Sequence, residues 1–192
     1  MTVDEVMDTV RRDLIFYGER GGLTITGGEP IAQPAFTLAL AKTAKKEGIS
    51  VFVETSGFGK QADFLALVPY CDVFLFDCKA SVEEHKALTG VEATDIERNL
   101  DAICRAGARV RLRCPIVGGA NLCDKFIERI GELAARYEAI ESVQLMPYHK
   151  TGALKSKTLG KDAQRIFETP SLQTLEEIAQ RIERTCGKKV IF

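Results

Sequence analysis

Apolar positions recur along the chain in two rhythms that alternate from end to end. Val3, Val6, Met7, Val10 and Leu14 repeat at helical spacing behind a Thr2/Glu5 capping-box pair, which predicts a first helix running to about Tyr17. Gly21-Gly22 breaks it, and Leu23–Thr26 is a short β-rich run that ends in Gly27-Gly28-Glu29-Pro30. Pro34 suits the first turn of a second helix, which Gly48 closes. Ser50–Glu54 has the composition of a buried strand, Asp63–Val68 of a short helix stopped by Pro69, and Val73–Phe76 of a strand. The rhythm repeats with a helix over Ile96–Ala106, a strand over Arg109–Ile116, a helix over Lys125–Tyr137 and a strand over Ser142–Leu145. The polar, weakly periodic stretch 152–169 is expected to be a long loop or a short helix. A helix over Leu172–Thr185 and a last strand over Lys189–Phe192 follow.

Helix and strand alternating in this way, with near-continuous apolar strands, predict an α/β fold with a parallel sheet covered by helices. Right-handed crossovers curl six such strands into an open or partial barrel, or a doubly wound sheet. No linker or shift in composition divides the chain, so 1–192 is expected to be a single domain.

Composition narrows the function classes. The 192 residues carry 26 Lys+Arg against 27 Asp+Glu, and a net charge of -1 argues against nucleic-acid binding through a basic face. No apolar run approaches the roughly 20 residues a bilayer needs, so no membrane association is expected. Six cysteines (Cys71, Cys78, Cys104, Cys114, Cys123 and Cys186) are separated by gaps of 7, 26, 10, 9 and 63 positions. None forms a Cys-x-x-Cys, so neither a zinc ribbon nor an ordinary iron–sulfur loop is encoded. Their ordinary helical or apolar surroundings suit a reduced, cytoplasmic protein.

The polar residues with chemical potential fall at the predicted carboxyl ends of the strands, where parallel α/β folds bind ligands. Gly27-Gly28 is either a plain turn or a place where backbone approaches a ligand closely. Asp77 and Lys79 form either an ion pair at a strand end or a clamp, the carboxylate accepting protons and the ammonium holding an anion. Arg113 alternates with apolar residues and suits two-point recognition of a carboxylate. His149 follows Pro147-Tyr148 on an expected rim loop, while His85, in a charged helical stretch, reads as structural.

The ordered set of these segments resembles the radical S-adenosylmethionine (SAM) enzymes, specifically glycyl radical enzyme activating enzymes of the pyruvate formate-lyase activating enzyme type. The segments are Met1–Met7, Thr24-Ile25-Thr26-Gly27-Gly28-Glu29-Pro30, Glu54-Thr55-Ser56-Gly57, Asp77-Cys78-Lys79, His85 with Thr89-Gly90, Asn99-Leu100, Arg113-Cys114-Pro115 and Leu145–His149. Gly-Gly-Glu-Pro alone is moderately specific, and the ordered set is strong. The resemblance implies a partial parallel (β/α) barrel of the radical SAM type. It implies that Gly27, Gly28 and Glu29 bond the methionyl amino group of SAM. Lys79 and Arg113 would then hold the methionyl carboxylate, and Asp77 and His149 the ribose hydroxyls. A monovalent cation near SAM would take Glu54, Thr55, Asp77 and the backbone of Met146; oxygen ligands suit a hard cation.

The family's chemistry also needs a [4Fe–4S] cluster on a Cys-x-x-x-Cys-x-x-Cys loop, and none of the six cysteines has that spacing. The stretch from Lys79 to His85 is one residue shorter than the family pattern and lacks its usual acidic residue. The expectation is a fragment without the first strand and the cluster loop, inactive by itself. The parent enzyme would carry the cluster, take electrons from a donor such as flavodoxin or ferredoxin, and act on a glycyl radical enzyme such as pyruvate formate-lyase. With no strand beside Leu23–Thr26, the fragment is expected to self-associate through that edge. Two other readings stand beside this one: a radical SAM enzyme acting on a small molecule or peptide, and a cluster-less binding module.

Overall fold

Helix α1 (Val3–Arg12) begins where the capping box places it: Glu5 N–H donates to Thr2 Oγ1 at 3.2 Å, and Thr2 N–H to Glu5 Oε2 at 2.8 Å. The chain is described by a computed structural model over residues 1–18, 21–149 and 167–192. The strands β1 (Leu23–Ile25), β2 (Val51–Thr55), β3 (Val73–Asp77), β4 (Val110–Ile116), β5 (Ile140–Pro147) and β6 (Lys189–Ile191) follow one another in sheet order, with β1 and β6 at the two edges. The alternating pattern predicts a parallel sheet and leaves the strand order open between a partial barrel and a doubly wound sheet; the sequential order is that of the first. The described residues divide into two compact units: 1–77 with 93–111, and 78–92 with 112–192.

In the first unit β1 pairs parallel with β2 (Ile25↔Val53), and β2 with β3 (Thr55↔Phe76). Residues along β2 alternate between buried and half-buried, so Val51, Val53 and Thr55 share one face and Phe52 and Glu54 the other. Helix α3 (Pro34–Lys46) starts on Pro34 and buries Leu40, Ala41 and Ala44; α1 packs against it through Met7 and Val10. Arg11 forks onto Glu47, with Nε to Oε2 at 2.9 Å and Nη2 to Oε1 at 2.6 Å, tying the end of α1 to the end of α3. Asp72 accepts from Lys45 Nζ and from Val51 N–H, both at 2.7 Å, which fixes the starts of β2 and β3 to α3. Helix α4 (Gln61–Leu67) and helix α6 (Ala93–Arg105) complete the unit.

The first helix does not reach Tyr17 in one piece. It stops at Asp13, and a four-residue turn of helix, α2 (Leu14–Tyr17), follows. Leu14, Ile15 and Phe16 are apolar in succession rather than at helical spacing, so no single face of a continued helix could bury them; Ile15 and Phe16 are 82% and 78% exposed.

In the second unit α5 (Val82–Thr89) ends on Gly90 in the left-handed region and buries His85. The His85 ring holds the end of that helix: Nδ1 lies 2.8 Å from Val91 O and 3.1 Å from Thr89 Oγ1. Helix α7 (Asp124–Arg136) packs against α8 (Leu172–Cys186), which Ser171 caps, and Arg181 reaches Asp124 at 2.7 Å. Strand β5 pairs parallel with β6 (Val143↔Val190) and extends two residues beyond the expected run at each end. Of the expected loop 152–169, only 167–169 falls within the described residues; there Glu168 forms an antiparallel bridge with Gly118. No helix among the described residues is long and apolar enough to cross a membrane.

Candidate functional site

The end of β1 turns through Gly27 and Gly28 at φ +93° and +50°, a conformation that L side chains rarely adopt. A Cβ built on either residue meets no atom within 4 Å. Both glycines are therefore set by backbone conformation and by an open approach, not by packing. Glu29 comes next and begins the short 3-10 turn Pro30–Ala32, whose Pro30 carbonyl is fixed by Thr37 Oγ1 at 2.7 Å.

The Glu29 carboxylate is held almost entirely from the end of β2. Its Oε1 accepts from Thr55 Oγ1 at 2.6 Å and, more weakly, from Ile31 N–H at 3.5 Å. Its Oε2 accepts from Ser56 Oγ at 2.6 Å and from Ser56 N–H at 2.9 Å. A carboxylate offers about four acceptor directions, and these four donors fill them. A ligand ammonium at this place would meet the carboxylate's charge and share its oxygens, while the Gly27-Gly28 turn offers unobstructed backbone. The hydroxyl groups are themselves oriented. Gly57 N–H donates to Thr55 Oγ1 at 2.9 Å, so the Thr55 proton is left for Glu29.

Asp77 closes β3 in the same unit. The register pairs Glu54 with Leu75, so Glu54 and Asp77 lie on one face of the sheet and Thr55 on the other. Side-chain alternation does not gather the expected cation set, and the Thr55 hydroxyl is committed to Glu29. Among the described residues no group of three or more His, Cys, Asp or Glu is placed to hold a metal ion. None of the six cysteines is in a disulfide; burial pushes the Cys71 thiol up to about 12. An iron–sulfur cluster therefore finds no ligand set in these residues, whereas an amino-acid head group fits the open glycine turn beside a fixed carboxylate.

The second unit holds Lys79, Arg113, Met146 and His149. Arg113 Nη2 lies 2.9 Å from Met146 Sδ, so β4 and β5 bring these two side chains together. The backbone of Lys79 is fixed by Asn121, which is 5% exposed: its Nδ2 donates to Lys79 O at 2.8 Å and to Pro115 O at 2.7 Å, and its Oδ1 accepts from Val117 N–H at 2.8 Å. His149 is exposed just beyond β5, next to Tyr148, whose N–H donates to Ile116 O at 3.0 Å. The sequence reading quoted Ser56 and Asn99 within family segments but gave them no role, and it left out Asn121. Thr55-Ser56 after a strand was a visible signal of a hydroxyl pair; nothing local marks either asparagine as a partner of a loop some forty positions away.

Residues 1–141 match the Radical SAM superfamily. The chain is 38% identical over 189 residues to the isethionate sulfite-lyase activating enzyme of Nitratidesulfovibrio vulgaris, covering 96% of this chain and 61% of that protein. It is 33% identical over 194 residues to the indoleacetate decarboxylase activating enzyme of Tractidigestivibacter scatoligenes, covering 100% of this chain and 61% of that protein. Thus it spans about three fifths of the length of these curated relatives. Among solved structures, a domain of pyruvate-formate lyase-activating enzyme from Bacteroides vulgatus superposes with a TM-score of 0.74 at 24% identity, over 89% of this chain and 98% of that one. A radical SAM methyltransferase from Sphaerobacter thermophilus superposes with a TM-score of 0.73 at 17% identity, over 100% of this chain and 57% of that one. At such identities these two likenesses speak to the fold.

Proposed function

The chain belongs to the radical SAM superfamily, and we propose that it is the SAM-positioning part of an enzyme that installs a glycyl radical on a partner enzyme. The observation that carries this reading is the open Gly27-Gly28 turn beside a Glu29 carboxylate fixed by Thr55 and Ser56. Such a turn accepts the methionyl ammonium: the backbone lets it approach, and the fixed negative charge favours it. Lys79 and Arg113 take the methionyl carboxylate, Arg113 with a fork suited to its two oxygens. Asp77 and His149 take the ribose hydroxyls. SAM held here would supply radical chemistry directed at a glycine of the partner. The residues of this chain would orient it, the [4Fe–4S] cluster of the parent would need ligands outside these residues, and a separate donor protein such as a flavodoxin or ferredoxin would deliver the electron.

The relatives are named for several glycyl radical enzymes, among them isethionate sulfite-lyase and indoleacetate decarboxylase. The reading therefore extends to a glycyl radical enzyme as partner, with pyruvate formate-lyase as one candidate within that class.

Calorimetry with SAM tests the reading. Without the cluster, binding rests on charge-assisted hydrogen bonds of about 1.5–3 kcal/mol each, offset by ordering of the ligand. The dissociation constant is expected to be no tighter than roughly the high micromolar range, and Lys79→Ala or Arg113→Ala should abolish the signal. Binding unchanged in both variants overturns the assignment.

A further inference from the structure

We propose that Asn99 is a positioning residue for the methionyl-amine subsite: from α6 it sets the Ser56–Gly59 turn, and the turn sets the Glu29 carboxylate. The inference rests on the reading of that subsite given above. Asn99 is 1% exposed, on the buried face of α6 that also carries Ile96, Leu100 and Ile103. Its two amide hydrogens both leave the helix: Nδ2 donates to Gly57 O at 2.8 Å and to Gly59 O at 2.9 Å. Its Oδ1 is buried with no hydrogen-bond partner among the described residues. As a packing residue Asn99 is poor, because a buried amide with an unsatisfied oxygen is destabilising and asparagine is a weak helix former. What it does provide is a two-point hold on one turn.

The hold is transmitted through hydrogen bonds of fixed direction. Asn99 fixes the Gly57 carbonyl, and the Gly57 N–H donates to Thr55 Oγ1. Thr55 then has one proton to give, and it gives it to Glu29 Oε1 at 2.6 Å. In parallel, Phe58 N–H donates to Ser56 Oγ at 3.4 Å, leaving the Ser56 proton for Glu29 Oε2. The far end of the turn also bears on the same segment: a Cβ on Gly59 would lie 2.4 Å from Ile31 Cγ2, two residues beyond Glu29. A loosened turn would lose the orientation of both hydroxyls and let the carboxylate rotate.

The test uses two thioether nucleosides that differ by one zwitterionic amino-acid head group, S-adenosylhomocysteine and 5′-methylthioadenosine. Calorimetry is run with the wild-type chain, Asn99→Ala, Asn99→Leu and Ser56→Ala. Ser56→Ala reports on the direct bonds to Glu29, and Asn99→Leu, close in size but without the two donors, decides the matter if Asn99→Ala does not fold. The expected result is a loss of about tenfold for S-adenosylhomocysteine, equivalent to about 1.4 kcal/mol, with 5′-methylthioadenosine held within about twofold. A role confined to general stability would weaken both ligands together. Equal losses for the two ligands, or no loss in the Asn99 variants, overturn the inference while leaving SAM binding intact. A wild-type chain that binds neither ligand overturns the subsite reading itself, and this inference with it.

Discussion

Gly57 and Gly27 both have a positive φ, +78° and +93°, but differ completely in what surrounds them. A Cβ on Gly57 would lie 2.2 Å from Phe76 Cζ, 2.9 Å from Phe76 Cε2 and 3.0 Å from Ile96 Cγ2, whereas one on Gly27 meets nothing within 4 Å. Replacing each by alanine therefore separates backbone strain from collision. Holding an L residue in the left-handed region costs about 1–2 kcal/mol, and stiffening the unfolded chain returns about 0.4–1 kcal/mol. Gly27→Ala should thus lose about 1 kcal/mol. In Gly57→Ala the Phe76 ring, 1% exposed, would have to move by about 1.5 Å to restore ordinary contact, and overpacking of that kind adds about 1–3 kcal/mol. The expected total is about 2–4 kcal/mol. For a chain of this size each kcal/mol shifts Tm by roughly 2–4 °C, so Gly57→Ala should melt roughly 5–15 °C below wild type and Gly27→Ala roughly 2–4 °C below. Differential scanning fluorimetry gives the first readout and S-adenosylhomocysteine binding the second. Gly27→Ala, which places a methyl in the open turn, should keep its fold and lose the ligand. Equal melting shifts would refute the packing account of Gly57, and full ligand affinity in Gly27→Ala would refute the account of the turn.

Two further expectations concern other parts of the molecule. Burial would raise the Asp72 carboxyl, but the bonds from Lys45 and Val51 and the charge of Arg109 outweigh it and hold the group below its ordinary value. The stability this provides is complete above the unfolded-state pKa of about 4 and is lost as pH falls through the depressed folded value. Asp72→Asn should therefore cost about 1 kcal/mol at neutral pH after solvent screening. The gap to wild type in urea titrations should close on acidification, and one that stays constant to about pH 3 would show that the charge plays no part. Asn121→Ala should cost about 2–3 kcal/mol, because it leaves Val117 N–H and the carbonyls of Lys79 and Pro115 without their partner. A loss below about 0.5 kcal/mol, the range of an ordinary surface change, would show that this bridge is dispensable.

The strands and most helices were legible because their signals are local. A stripe at three- and four-residue spacing, a proline at a first turn or a glycine after a last one involves neighbours within a few positions, and the sequence holds all of them. The same locality explains the failure at Asp13. The apolar run Leu14-Ile15-Phe16 carries the composition of a buried helix, but its residues are successive rather than spaced for one face, and among the described residues Ile15 and Phe16 stay exposed. Glycine at 27 and 28 announced a turn from residue type alone, but whether it was a plain turn or a close backbone approach to a ligand stayed open at that level. The donors that fill the Glu29 carboxylate could not be read in the same way. They depend on the parallel register that sets Ile25 beside Val53 and so brings the end of β1 to Thr55 and Ser56. Asn99 and Asn121 each act on a loop some forty residues away. In sequence they are single polar residues near apolar neighbours. Asn99 finds its partners only when burial of one face of α6 sets that helix's rotation, and Asn121, in the turn after β4, only when packing brings that turn to Lys79; both are properties of the packed molecule rather than of any local window.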